Sequence, residues 1–351
     1  MSIIQGPGIF LAQFIDDKVP YHNIESLSRF FSDLGYKGVQ IPSWDARVFD
    51  LDTAAGSDYY CDEYKGKLEN LGMEIIEIAS YLQGQVLAMH PAYASLFQGF
   101  YPRGLHGAES VIWAADQLKK TIRASSRFKT TNISVLSGGL AWPYLYPWPQ
   151  RSQRLVEEAF DELVRRWLPI LDMAWEYGIT LGFELHPGSD LHDGATFLRF
   201  LDKTSQHPAA CITYDPSHFL LQQLDYVAFI RIFFDRITCF HVKDAEFVPD
   251  GRRGVYGGYE HWMPRAGRFR TPGDGQVDFK RIFSLLNELG FDGWAVLEWE
   301  CCIKSPEQGA REGAEFISRN LTGETRKRFD ELPVRPASDA FNRKVLGLDP
   351  L

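Results

Sequence analysis

The sequence predicts an α/β fold, a (β/α)8 TIM barrel in a single domain with long βα loops. Three observations carry that expectation. Short apolar runs rich in β-branched and aromatic residues recur eight times along 351 residues. Most are preceded by an amphipathic stretch that closes on a glycine or a turn residue. The longest connections all follow such a run. An open Rossmann sheet alternates in the same way, but no G-x-G-x-x-G follows the first run, and eight units suit closure better than a doubly wound sheet.

The expected strands are Gly8 to Phe14, Gly38 to Ile41, Glu74 to Ala79, Asn132 to Leu136, Thr180 to Glu184, Ala210 to Asp215, Ile237 to His241 and Gly293 to Glu298. The segments SLSRFFSDLGYKGVQIP and FSLLNELGFDGWAVLEWE share one pattern: an apolar helix face, Leu-Gly at the helix end, then a strand. Three connections exceed ordinary loop length, Leu82 to Gly107, Gly138 to Arg151 and Ala245 to Val277, and each lies on the face where barrels do chemistry. The second holds Trp142, Tyr144, Tyr146 and Trp148. The third holds Tyr256, Tyr259, Trp262 and Phe269 among Arg252, Arg253, Arg265, Arg268 and Arg270. Such loops suit a carbohydrate lid, because aromatic faces stack on sugar C–H surfaces and arginines hold oxyanions or hydroxyls. They equally suit packing against each other or another subunit, with the arginines offsetting Asp244, Glu246 and Asp250. The chain divides into a barrel over 1–321 and a charged, Pro-containing C-terminal extension over 322–351, a surface or oligomer arm.

Composition narrows the partners. A net charge of −9 repels a phosphate backbone on average, so nucleic acid is a poor first expectation. Cys61, Cys211, Cys239, Cys301 and Cys302 are odd in number and lack any C-x-x-C pairing, which reads as buried thiols in a reducing compartment. The opening MSIIQGPGIFLAQF has no basic region before a long apolar stretch, and no window of eighteen apolar residues occurs. The expectation is a cytoplasmic, soluble protein that does not enter a membrane.

The last four strands end on titratable residues: Gly182-Phe183-Glu184-Leu185-His186, Thr213-Tyr214-Asp215-Pro216-Ser217-His218, Cys239-Phe240-His241-Val242-Lys243-Asp244 and Val296-Leu297-Glu298-Trp299-Glu300. One such carboxylate is readily a structural ion pair; four consecutive strand ends are not. Glu184, Asp215, His241 and Glu298 would confront one another at the barrel mouth unless a cation neutralised them. Hard oxygens plus one imidazole suit Mn²⁺ first, with Mg²⁺, Co²⁺ or Fe²⁺ as alternatives, better than a closed zinc site. His186 and His218 either donate to a substrate oxygen or fix a ligand carboxylate from outside. Lys243 either polarises an oxygen or forms a salt bridge with Asp244. Arg268 is the arginine of the last long loop assigned to the substrate.

This series, Glu184, Asp215-x-x-His218, His241 and Glu298, resembles the xylose-isomerase-like TIM-barrel superfamily of sugar isomerases and epimerases, over roughly Gly8 to Leu321. Similar in motif are ketose 3-epimerases, inosose dehydratases and type IV apurinic endonucleases. The resemblance implies that Glu184 and Glu298 bind the metal and act as the acid/base pair, that Asp215 and His241 complete the ligand set, and that His186 and His218 hold substrate oxygens.

Independent chemistry supports that reading. A proton next to a carbonyl is too weakly acidic for a carboxylate unless the developing enediolate is stabilised, and a divalent cation supplies charge where it appears. Returning the proton gives a sugar or keto-sugar isomerase or epimerase, the first expectation. Expelling a β-substituent gives a lyase or dehydratase acting on a keto-inositol or a 3-keto-glycoside, the alternative. The lyase route brings in a partner dehydrogenase that oxidises the sugar, or a small second subunit of the kind C-glycoside deglycosidases need. A homo-oligomer also fits such a barrel. An endonuclease of this superfamily needs further histidines on early strands and a D-x-H pair after the seventh. GVQIP, EIIEIAS and VKDAEFVPDGRR supply neither. A non-catalytic scaffold would lack a ligand, and none is missing. With no glycine-rich phosphate cradle after strand seven or eight, a neutral carbohydrate is the expected substrate.

Overall fold

The computed structural model describes residues 4–321 and 338–348. Eight parallel strands close a barrel: β1 (Gln5–Phe10), β2 (Gly38–Pro42), β3 (Glu74–Ala79), β4 (Asn132–Val135), β5 (Thr180–Glu184), β6 (Ala210–Tyr214), β7 (Ile237–Val242) and, after the hairpin strands β8 (Asp244–Phe247) and β9 (Gly267–Arg270), β10 (Trp294–Leu297). The ring runs β1-β10-β7-β6-β5-β4-β3-β2, so β10 closes onto β1. The chain is a (β/α)8 barrel, as the alternation predicts.

The long helices cover the outside because each carries one apolar stripe. In Leu155–Glu176, Leu163, Trp167, Ile170 and Leu171 are buried, and Trp167 meets Phe183 of β5 edge to face at 4.8 Å. A buried aromatic of this kind contributes roughly 1.5–3 kcal/mol by leaving water. Helix ends follow local chemistry: Asp193 and Thr196 form a capping box before Gly194–Lys203, and Gly290 ends Phe279–Leu289 in the left-handed region at φ 87°.

Three expectations change. The first strand is not Gly8–Phe14: after Phe10 the apolar run turns into a 3-10 segment, Ala12–Phe14, whose Phe14 packs on Phe31 and Trp299. The connection expected from Leu82 begins as a helix, Tyr81–Leu87, and it is pressed so close to the barrel that a Cβ on Gly84 would lie 2.2 Å from the Leu136 carbonyl oxygen. The third long connection contains the antiparallel pair β8–β9, in which Asp244 faces Arg270 and Glu246 faces Arg268. Most of the expected C-terminal extension lies outside the described residues; within 338–348, Asp339–Val345 is an exposed helix.

The loop over 138–151 is tied down from below. Asp190 accepts from the backbone N–H groups of Leu140, Ala141 and Trp142, each at 2.8 Å. Asp244 plays the same part for the segment after β9, accepting from Gly273, Gly275 and Val277 as well as from its neighbour Ala245. The five cysteines are free thiols, four buried and Cys302 half-buried.

Candidate metal centre and surrounding pocket

Parallel strands in a closed ring point their C-terminal ends to one mouth, and there the four expected ligands meet. Glu184 ends β5, Asp215 follows β6 as the N-cap of Pro216–Leu221, His241 lies on β7, and Glu298 follows β10. One donor atom from each lies within 4.8 Å of all the others, and all four side chains are buried. Among the described residues no other group of three or more His, Cys, Asp and Glu converges in this way.

Three carboxylates this close cannot all ionise without compensation. Lys243, 2% exposed, supplies part of it: its Nζ lies 3.2 Å from Glu298 Oε2, 3.6 Å from Asp215 Oδ2 and 2.6 Å from Glu300 Oε2. Burial opposes its charge, yet Glu298, Glu300 and Asp215 outweigh burial and keep the ammonium protonated well above the usual lysine range. The expected alternative, a Lys243–Asp244 salt bridge, is not formed; Asp244 is occupied by backbone amides. Glu184 is pushed up by burial but held well below the ordinary carboxylate range by His218 and His241. Glu298 is also lowered: Lys243 and His241 outweigh burial and the charge of Glu184. Asp215 goes the other way, raised by burial and then by Glu184 and Glu298 against the pull of Lys243.

His241 is held from both sides. Nδ1 lies 3.0 Å from Glu298 Oε2 and 3.6 Å from Glu184 Oε1, while Nε2 lies 3.0 Å from Gln40 Oε1. The Gln40 amide cannot turn round, because its Nε2 donates to Glu77 Oε1 at 2.6 Å. Nε2 of His241 is therefore the donor to Gln40, and Nδ1 is the atom presented to the carboxylates. Glu77 is itself saturated by Gln40, Asn132 and Ser134.

The donor set fits a divalent cation. Glu184 Oε1 and Asp215 Oδ2 are buried with no hydrogen-bond partner, and such atoms are costly unless a cation or ligand completes them. With Nδ1 of His241 and Glu298 they form an oxygen-rich set with one nitrogen, the kind that suits Mg²⁺ or Mn²⁺.

The residues expected beside the ligands divide. His218, 1% exposed, has Nε2 3.3 Å from Asp215 Oδ2, 3.6 Å from Glu184 Oε1 and 3.3 Å from Lys243 Nζ. Burial, then Lys243 and His186, lower its pKa to about 3, so the ring is neutral and these contacts are not ion pairs. His186 packs on it, ring centroids 4.4 Å apart. Arg268 is placed differently: on β9 its guanidinium engages Glu246 and the Met263 carbonyl, and Arg270 pairs with the same Glu246 while Arg253 pairs with Asp250.

Sequence reasoning missed several residues here. Gln13 donates through Nε2 to Glu298 Oε1 at 3.0 Å. Phe10 stacks on His241 at 6.1 Å, and Tyr81 stands edge-on to both Phe10 and His241, at 5.5 and 6.4 Å. Burial, then the charges of Glu184 and Glu298, keep the Tyr81 phenol protonated. Phe269, expected only as an aromatic of the long loop, lies on β9 under the Lys243 ammonium at 4.4 Å and against Trp262 at 4.7 Å. A polar residue inside an apolar strand, as in GVQIP and EIIEIA, is the signal that marks Gln40 and Glu77.

The model of the xylose isomerase-like TIM barrel family matches residues 29–320. The chain belongs to that family. Proteins similar in sequence include the inosose dehydratase of Geobacillus kaustophilus (strain HTA426), 28% identical over 191 residues, which are 53% of this chain and 61% of that one. The chain spans between half and two thirds of the length of the first curated relatives it matches. Among solved structures, the family fold recurs in 3-keto-D-glucoside 4-epimerase, YcjR, from E. coli, with TM-score 0.61 at 16% identity, covering 89% of this chain and 98% of that one. It recurs also in a xylose isomerase-like TIM barrel protein from Mycobacterium smegmatis in complex with magnesium, with TM-score 0.59 at 15% identity, covering 84% and 87%. Proteins named as dehydratases and epimerases are thus among those this chain is similar to. Among the described residues no helix is long and apolar enough to cross a membrane.

Proposed function

We propose that the chain is a divalent-metal-dependent enzyme that removes the proton next to the ketone of a keto-inositol or keto-sugar, and that elimination of a β-hydroxyl follows. The observation that carries this reading is the convergence of Glu184, Asp215, His241 and Glu298 at the strand ends, with two buried oxygens lacking partners. A cation held by these four residues would offset the negative charge that develops on the ketone oxygen.

The protein's own groups do the rest. Glu184 and Glu298, both held ionised, are the bases that face the carbon, and one of them takes the proton as the C–H bond breaks. The electron pair passes to the enediolate and then into a C=C bond as the β C–O bond breaks. The departing hydroxyl takes a proton from the acidic side of the pocket, where the Lys243 ammonium sits 3.3 Å from neutral His218, and leaves as water. Two observations favour this order over isomerisation: the inosose dehydratase relatives, and a buried ammonium placed beside the carboxylates.

Isomerisation or epimerisation, the first expectation from sequence, is the second reading. It is favoured by the placement of Glu184 and Glu298 on β5 and after β10, with β6 and β7 between them, so that one removes a proton and the other returns it.

The test is exchange in D₂O. Mn²⁺-loaded protein is incubated with ketoses, inososes and 3-keto-glycosides and followed by NMR. Deuterium should enter at the α-carbon, and exchange should vanish with chelator and in Glu298→Gln. An unsaturated product establishes the lyase, a stereoisomer the epimerase; no exchange in metal-loaded protein overturns both.

A further inference from the structure

We infer that Gln13 and Tyr81 form the hydroxyl-reading side of the pocket, selecting a neutral polyhydroxylated ring; this rests on the reading of the cluster as a keto-inositol or keto-sugar site. Among the buried polar atoms without partners are the Tyr81 hydroxyl, whose ring stands 6.4 Å from that of His241, and Gln13 Oε1, on the side chain that donates to Glu298. Tyr81 is 6% exposed, so water does not freely satisfy it. The Gln13 amide nitrogen is committed to Glu298 Oε1, which leaves its carbonyl as the free end. Leaving such groups unmatched lowers stability, and a fold keeps them where a ligand supplies the missing bonds.

Their chemistry is complementary to one kind of group. The Tyr81 hydroxyl donates and the Gln13 carbonyl accepts, so the hydroxyls of a polyhydroxylated ring, each both acceptor and donor, satisfy the two. A carboxylate or phosphate at this place would meet the Gln13 carbonyl and the charge of Glu298 and be repelled. The nearest framework is apolar: Phe10 lies 5.5 Å from Tyr81, and Trp44 lies 6.2 Å from Phe10 and 6.3 Å from Tyr81. Aromatic faces of this kind receive the C–H face of a ring whose hydroxyls lie at its edge. Three of the five arginines in the last long loop, Arg253, Arg268 and Arg270, are engaged by Asp250 and Glu246.

The experiment measures binding without requiring turnover. The full chain loaded with Mn²⁺ is titrated by calorimetry with scyllo-inositol, 2-keto-myo-inositol and 3-keto-glucose, as wild type, Tyr81→Phe and Gln13→Leu. Tyr81→Phe should keep the wild-type thermal stability and Mn²⁺ affinity, since its hydroxyl has no partner in the fold, yet bind the rings about 10- to 100-fold more weakly. Gln13→Leu should weaken them comparably. Ring affinity within twofold of wild type in both variants, or a wild type that binds none of the three, overturns the inference. A Tyr81→Phe protein that loses thermal stability overturns it too, because the hydroxyl then serves the fold. α-Proton exchange on the same samples is read separately: wild type that binds a ring ketone in a Tyr81-dependent way but exchanges nothing sinks the proton-transfer reading and leaves the pocket standing.

Discussion

His241 Nε2 lies 3.0 Å from Gln40 Oε1, and this one bond decides which imidazole nitrogen meets the carboxylates of Glu184 and Glu298. A residue on β2 thereby orients the His241 ring, a candidate metal ligand, on β7 with β1 and β10 between them in the ring. Removing the partner frees the ring to rotate or change tautomer, a change that typically costs 10- to 100-fold in metal affinity. Gln40→Leu is expected to lower Mn²⁺ affinity by about that factor while the barrel stays folded, measured by calorimetry with circular dichroism as the control. Affinity equal to wild type would mean that the carboxylates alone orient His241.

Glu77 anchors the same chain from below. It accepts from Gln40, Asn132 and Ser134, and Ser134 in turn lies 2.6 Å from Thr213. Replacing it with leucine strands several buried donors at once, each costing roughly 1–3 kcal/mol. Glu77→Leu is expected to lose at least ~3 kcal/mol of stability in chemical denaturation. A loss below 1 kcal/mol, on the order of a surface substitution, would show that water replaces the missing acceptor.

A cation that binds the folded chain and not the unfolded one stabilises it by mass action, by about 2.7 kcal/mol at a hundred times its dissociation constant. Mn²⁺ should therefore raise the melting temperature by several degrees, and EDTA should reverse the gain. Asp215→Ala removes one of the four donors and should show neither response. A wild type whose melting temperature ignores both Mn²⁺ and EDTA would count against the metal centre.

The convergence of Glu184, Asp215, His241 and Glu298 was legible because each ends an apolar run, and closing the barrel brings such ends together. The apolar period alone misplaced β1: GIFLAQF stays hydrophobic through Phe14, although only the part to Phe10 pairs with β2 and β10, and periodicity does not separate a buried turn from a strand. The β8–β9 pair was hidden because its four-residue strands are joined by a long segment and carry charges rather than an apolar alternation. Gln40 meets His241 across 201 positions, and Gln13 meets Glu298 across 285; such contacts exist only once the ring closes. Tyr81 had no sequence signal, since its place depends on the helix that Gly84 lets settle against Leu136.

That packing makes Gly84 sensitive. An added methyl would meet the Leu136 carbonyl oxygen at 2.2 Å, and a backbone oxygen cannot move aside as a flexible side chain does. Gly84→Ala should push the Tyr81–Leu87 helix outward and cost on the order of 1–3 kcal/mol, as overpacking does. The shift should appear as a drop in melting temperature together with weaker ring binding, because Tyr81 moves with its helix. Unchanged stability would mean that the helix has room to retreat.

Asp190 sets a pH dependence away from the ligands. Burial pushes its carboxyl up to about 6, against the opposing backbone bonds from Leu140, Ala141 and Trp142. Unfolded, it titrates near the ordinary aspartate value of about 3.9. Between about pH 4 and 6 the folded chain then holds a proton that the unfolded chain has released, so the contribution of this group is fully present below pH 4 and is lost as pH rises through 6. A shift of about two units corresponds to roughly 3 kcal/mol. Melting of wild type and Asp190→Asn across pH 4 to 7 isolates it: the stability of wild type relative to the variant should fall by about that amount. A relative stability that instead rises with pH would mean that the three amides prevail over burial and that the carboxylate, fully charged, is what pins the 138–151 loop.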